Sequence, residues 1–161
     1  MKSTESSLLV KPDLTRAEYI RVTPKSVGWE HLSFCAVRLK QGEEWHFNTE
    51  NNELALVILG GTLDVHSNRG AWRSIGSRTD VFHGMPTTLY LSRDTDFTVT
   101  AAYGAVDFAC GWAAATKDFP ARLVSPEEVK VELRGGENAS RQINQMKIGR
   151  ASCRERVYHP V

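Results

Sequence analysis

Short runs of apolar and β-branched residues, each ended by a turn signal, fill most of this chain. They cover residues 19–23, 31–39, 53–59, 62–66, 71–75, 77–82, 87–91, 96–101 and 106–112. Gly28, Gly42, Gly60-Gly61, Gly70, Gly76, Gly84-Met85-Pro86 and Ser92-Arg93-Asp94 stand at the breaks. Short strands at a spacing of about ten residues, with turn chemistry between them, mark an all-β sandwich or barrel. Ser67-Asn68-Arg69-Gly70 separates two of the runs and predicts a hairpin loop. The helix signal is confined to Ser125-Pro126-Glu127-Glu128. It has a capping serine, proline at the first helical position and acids in the first turn, which predicts one or two turns leading into residues 130–133. Residues 134–140 read as a polar, Gly-rich connection. The expected architecture is a mostly antiparallel barrel over residues 18–115. Val57, Leu59, Leu63, Val65, Val99 and Phe108 are expected in its core.

Composition narrows this without redirecting it. A chain of 161 residues fits one domain by the prior of roughly 100–200 residues each. Hydrophobic content of 41% and a net charge of +1 argue against disorder and against electrostatic capture of nucleic acid. No run approaches the roughly 18 apolar residues of a membrane span. Near the N-terminus only Leu8-Leu9-Val10 is apolar, too short for the apolar region of a signal peptide. The expected location is the cytoplasm, with neither nucleic acid nor membrane as partner; a homo-oligomer is left open. Cys35, Cys110 and Cys153 are odd in number and form no CxxC pair, so neither a zinc ribbon nor a disulfide framework is expected. Cys35 and Cys110 lie in strand patterns and read as small buried hydrophobes.

The most telling stretch is residues 42–65, GEEWHFNTENNELALVILGGTLDV. It resembles the metal-site strand pair of cupins, in which two histidines one residue apart share the strand face that aims into the barrel and a glutamate follows, so the positions of residues 46 and 48 are expected to point inward. Here His46 is present, Asn48 stands at the second histidine position, Glu53 lies near the glutamate position, and Gly60-Gly61 supplies the turn. One His and one Glu make a poor divalent site, so the expectation is a cupin-like antiparallel barrel of the RmlC-like jelly-roll kind with no metal of its own.

More residues extend the resemblance. Residues 22–30, VTPKSVGWE, are similar to the V-T-P-x-x-A-G-W opening of bacterial 5-deoxy-glucuronate isomerases of inositol catabolism. Residues 38–43, 53–61, 81–91, 120–123, 131–135 and 138–146 resemble further motifs of that family in the same order. The family is related to the 4-deoxy-L-threo-5-hexosulose-uronate ketol-isomerases. The resemblance implies two tandem cupins, of which this chain carries the first, over residues 18–146 after an extension of residues 1–17. It further implies an aldose–ketose isomerase acting on a uronate-type sugar, with a zinc-like divalent metal in the second, missing cupin. Residues 148–157, IGRASCRERV, break from the pattern and match the translation of a common short-read sequencing adaptor. Residues 147–161 are therefore expected to be a non-native tail, and Cys153 and His159 carry no functional argument.

The site candidates each have a plainer alternative. His46 and Glu53 would need a third ligand such as His66 or His83, and a lone strand histidine is more often simply hydrogen-bonded. Trp29, Trp45, Trp72 and Trp112 offer stacking surfaces for a sugar, against the commoner role of packing a β core or its rim. Arg38, Arg93 and Arg122 have the fork that pairs with a uronate carboxylate, but nothing in the spacing converges them. Glu43-Glu44 reads as a loop rim and Glu127-Glu128 as a first helical turn. No catalytic residue is assignable. Besides the isomerase half, two readings stand: a non-catalytic sugar-binding or scaffold module, and a small metal-dependent cupin enzyme using His46 and Glu53.

Overall fold

The computed structural model describes residues 9–136 and 140–146; the expected tail lies outside the described residues. Twelve strands follow in order among these residues: β1 (Glu18–Val22), β2 (Ser33–Leu39), β3 (Glu44–Asn48), β4 (Asn52–Gly60), β5 (Leu63–Ser67), β6 (Gly70–Ile75), β7 (Thr88–Leu91), β8 (Asp96–Thr100), β9 (Val106–Ala114), β10 (Arg122–Val124), β11 (Lys130–Arg134) and β12 (Arg141–Gln145). Strands β1-β2-β9-β4-β7-β10 form a six-stranded sheet, β3-β8-β5-β6 a four-stranded sheet, and β11-β12 a separate hairpin. All the strand pairings are antiparallel. The two larger sheets face each other as a cupin-like barrel. Its core includes Val37, Leu56, Ile58, Leu63, Phe97 and Phe108, none more than 1% exposed.

The hairpin forms where the turn residues place it. Ser67 pairs with Gly70 across Asn68-Arg69, and the Ser67 hydroxyl donates to the Gly70 carbonyl at 2.9 Å. Ser125-Pro126 does start a turn, but a single 3₁₀ turn over Pro126–Glu128 rather than a helix. One helix was missed. α1 (Pro24–Val27) is capped by Thr23, whose hydroxyl accepts from the Ser26 N–H, and it ends at Gly28 with φ 71°. Strands β3, β10 and β12 are also absent from the expected runs.

Two expectations are corrected. Residues 77–82 form no strand. Arg78 there is buried, and its Nε donates to the Ile58 carbonyl at 2.9 Å while its own carbonyl accepts from Gly61 N–H at 2.9 Å. The segment is thus stitched to the end of β4 so closely that a Cβ on Gly60 would meet the Thr79 carbonyl oxygen at 2.5 Å. In β4, Leu54, Leu56 and Ile58 enter the core, while Val57 and Leu59 turn to the outer face and stay half-buried. The run is apolar on both faces, so its period is hidden. The other four expected core residues are buried.

Candidate functional site

The cupin resemblance puts the metal position inside the barrel on β3, and the residues found there are aromatic. Along Glu44–Asn48, Trp45 and Phe47 point inward, whereas Glu44, His46 and Asn48 face solvent. Two large rings gain far more by burial than an imidazole and an amide would. Trp45 stacks on Phe47 with centroids 5.2 Å apart and meets Phe108 edge-on at 5.5 Å; Phe47 meets Trp112 at 5.1 Å. His46 lies opposite Thr98, with its Nε2 3.6 Å from the Asp96 carboxylate. This corrects the expectation that the His46 and Asn48 positions aim into the barrel.

Glu53 lies on the other side of the molecule. It is on the outer face of the six-stranded sheet, where its carboxylate accepts from the Tyr90 hydroxyl at 2.9 Å. His46 and Glu53 therefore sit on opposite outer faces and cannot share an ion. His66 flanks Thr98 on the exposed face of the four-stranded sheet, and His83 is paired with Asp80 in a loop at 2.8 Å. Among the described residues no group of three or more His, Cys, Asp or Glu side chains is placed to hold a metal ion. The residues of this barrel do not fit a divalent metal.

The arginines do not converge either. Arg38 on β2 reaches Asp107, with Nε at 3.1 Å, and Arg122 on β10 reaches Glu128 at 2.8 Å. Three strands of the six-stranded sheet separate them. Arg93 donates to the Asn51 side chain at 3.2 Å. Trp112 is buried and Trp45 and Trp72 pack against the core, as expected of core or rim residues, but Trp29 is 44% exposed. Cys35 and Cys110 are fully buried and opposite one another on β2 and β9. Burial, then the neighbouring Cys35 thiol, pushes the Cys110 thiol well up. Glu43 accepts from the Lys40 N–H, and Glu128 from the Ser125 N–H, so both acidic pairs serve loops and caps.

Sequence reasoning passed over the polar cap at the barrel mouth. Arg21 reaches Glu18, with Nη2 at 2.7 Å, and its guanidinium lies 5.8 Å from the Phe47 ring centroid and 5.4 Å from that of Trp112. The Trp45 indole N–H donates to the same carboxylate at 3.3 Å. The hydrogen bonds from Arg21 hold the Glu18 carboxyl below the usual range. An irregularity between Glu18 and Ile20 lets residues three apart face the same way, which strict alternation hides. Beside this cap lies an open cleft of about 330 Å³ lined by Lys11, Asp13, Arg16, Glu18, Tyr19 and Arg21, among others.

The comparisons with known proteins settle the family. A family model described as KduI/IolB matches residues 8–155. The chain belongs to the KduI/IolB family. Curated relatives within reach of this match include the 5-deoxy-glucuronate isomerase of Geobacillus thermodenitrificans, 35% identical over 125 residues, which cover 78% of this chain and 46% of that protein. The enzyme of the same name from Halalkalibacterium halodurans is 32% identical over 147 residues, covering 86% of this chain and 53% of that protein. The crystal structure of an IolB-like protein from Salmonella typhimurium aligns with a TM-score of 0.79 at 28% identity, covering 84% of this chain and 51% of that one. The chain thus spans about half the length of the curated KduI/IolB relatives it matches.

Proposed function

We propose that this chain is the N-terminal half of a 5-deoxy-glucuronate isomerase, and that its barrel is a packed, non-catalytic partner of the half that carries the chemistry. The reaction is the aldose–ketose conversion of 5-deoxy-D-glucuronate to 5-dehydro-2-deoxy-D-gluconate in myo-inositol breakdown. The observation that carries the reading is the filling of the barrel. Isomerase relatives are about twice as long as the matched region, and Trp45 and Phe47 occupy the inward positions of β3. In this reading the divalent metal that the family resemblance implies belongs to the second half. Cytoplasmic location belongs to the same reading; no helix among the described residues is long and apolar enough to cross a membrane. Residues 147–161 are read as foreign to the family sequence, although the family match runs on to residue 155. Genomic sequence past codon 146 decides that point.

The test is an NMR assay of 5-deoxy-glucuronate turnover by this chain beside the same chain extended with its genomic second half. The extended protein turns over and the 161-residue chain does not. Comparable rates would overturn the reading. A sugar-acid-binding module is the second reading, favoured by the mouth cleft. Lys11 and Arg16 line it, while the Asp13 and Glu18 carboxylates are already taken up by Thr15 and Arg21. Quenching of Trp45 by glucuronate, absent with glucose, would support it.

A further inference from the structure

The two outer faces of the barrel differ in kind. On the four-stranded sheet the outward positions are polar, among them Glu44, His46, Asp64, His66, Asp96 and Thr98. That is how a solvated antiparallel sheet reads. On the six-stranded sheet the central strands turn outward Ala55, Val57 and Leu59 from β4 and Ala109, Gly111 and Ala113 from β9, with Glu53 and Asp107 at opposite ends of the stretch. Strands apolar on both faces belong to sheets covered on both sides. Small residues on a sheet face also let another element approach closely. At one end this face opens into a groove of about 580 Å³, floored by Leu59, Gly60 and Val106 and walled by Val81, with the Arg38–Asp107 ion pair on its rim. Phe82, next to Val81, is 88% exposed.

The chain indicates what covers this face. Met146, the last described residue, rests there: its sulfur accepts from the Thr88 hydroxyl, and Thr88 is the cross-strand partner of Val57. Polypeptide continuing from residue 146 therefore sets out from the apolar face beside the β4–β7 pair. The curated relatives are about twice as long as the region matched. We infer that the outer face of the six-stranded sheet, from Val57 to the groove beneath Val81, is the docking surface for the second half of the longer protein, which presents an apolar patch to it. The inference rests on the proposed function only in taking the partner to be the polypeptide that follows.

The test is thiol labelling read peptide by peptide by mass spectrometry, with Cys153→Ser in the short chain; Cys35 and Cys110 are buried. Val57→Cys reports on the apolar face and His66→Cys on the polar one. Each is compared in the 161-residue chain and in the chain extended with its genomic second half, using a charged maleimide. The labelling rate at position 57 relative to 66 falls at least about tenfold on extension, at every protein concentration, as expected for a site that reacts only through local opening. An unchanged ratio overturns the inference. So does a ratio that falls in the short chain as its concentration rises, since a second copy would then be the cover. An active extended protein with an unchanged ratio sinks the docking surface alone. An inactive one with a protected position 57 sinks the function alone.

Discussion

Replacing Leu56 with alanine tests the placement of the core more sharply than any change at the surface. Leu56 is 0% exposed at the centre of β4, opposite Cys110 on β9 and Leu89 on β7, which are also 0% exposed. Neighbours fixed in two ladders cannot collapse far into the gap. The cost is the lost transfer energy plus the cavity, about 3–4 kcal/mol. With a urea slope of about 1.5–2 kcal/mol per molar, that moves the unfolding midpoint down by about 2 M. Val57, one residue on, faces outward and is half-buried. Truncating it to alanine removes two methyl groups that are only partly out of water, for about 1 kcal/mol with the lost strand propensity included. Urea titrations of Leu56→Ala and Val57→Ala, followed by tryptophan fluorescence, measure the difference. If Val57→Ala costs as much as Leu56→Ala, β4 is turned over and the assignment of its faces is wrong.

Asn48→His, the change that would complete a His-x-His pair, puts the second imidazole on the solvent face beside Asp96, so any zinc that calorimetry detects in it is lost when Asp96→Ala is added; tight zinc binding that survives Asp96→Ala would contradict the strand's orientation. Arg78→Ala should cost about 2 kcal/mol in urea unfolding, since it strips the buried Ile58 carbonyl of its donor; a loss under about 0.5 kcal/mol, the surface-change scale, would refute that role. Burial, then the hydrogen bonds to Asp107 and Glu53, push the Tyr19 and Tyr90 phenols up to about 12. Their neutral forms therefore favour the fold, with a contribution fully present below about pH 10, the unfolded value, and lost as pH rises towards 12. Melting temperature should fall across that window, and fall less in Tyr19→Phe/Tyr90→Phe; equal slopes would refute the linkage.

The strand pattern was legible because turn chemistry is local: glycines and Ser67–Gly70 end strands whatever lies across the sheet. What depended on the far side of a strand was less so. Residues 54–59 are apolar throughout, so nothing in them says which alternate set meets the core. Residues 44–48, EWHFN, did carry the answer. Polar and apolar positions alternate, and that pattern puts Trp45 and Phe47 inside, but a motif comparison centred on His46 reads the opposite face. The Glu18–Arg21 cap was invisible because an irregular pairing changes the parity of β1. The run at 77–82 looked like a strand because its β-branched residues do; the buried Arg78 bonds Ile58 and holds it as a loop instead.

The central claim is that this barrel supports an isomerase without taking part in its chemistry. The most direct measurement is kcat of the full-length protein carrying His46→Ala and Glu53→Gln together, set beside the unaltered protein. The two side chains lie on opposite outer faces, one near Asp96 and the other bonded to Tyr90, so the account predicts a kcat within about threefold, less than 1 kcal/mol of barrier. A fall of about a hundredfold with the fold intact, roughly 2.7 kcal/mol, would put catalysis in this half and contradict it.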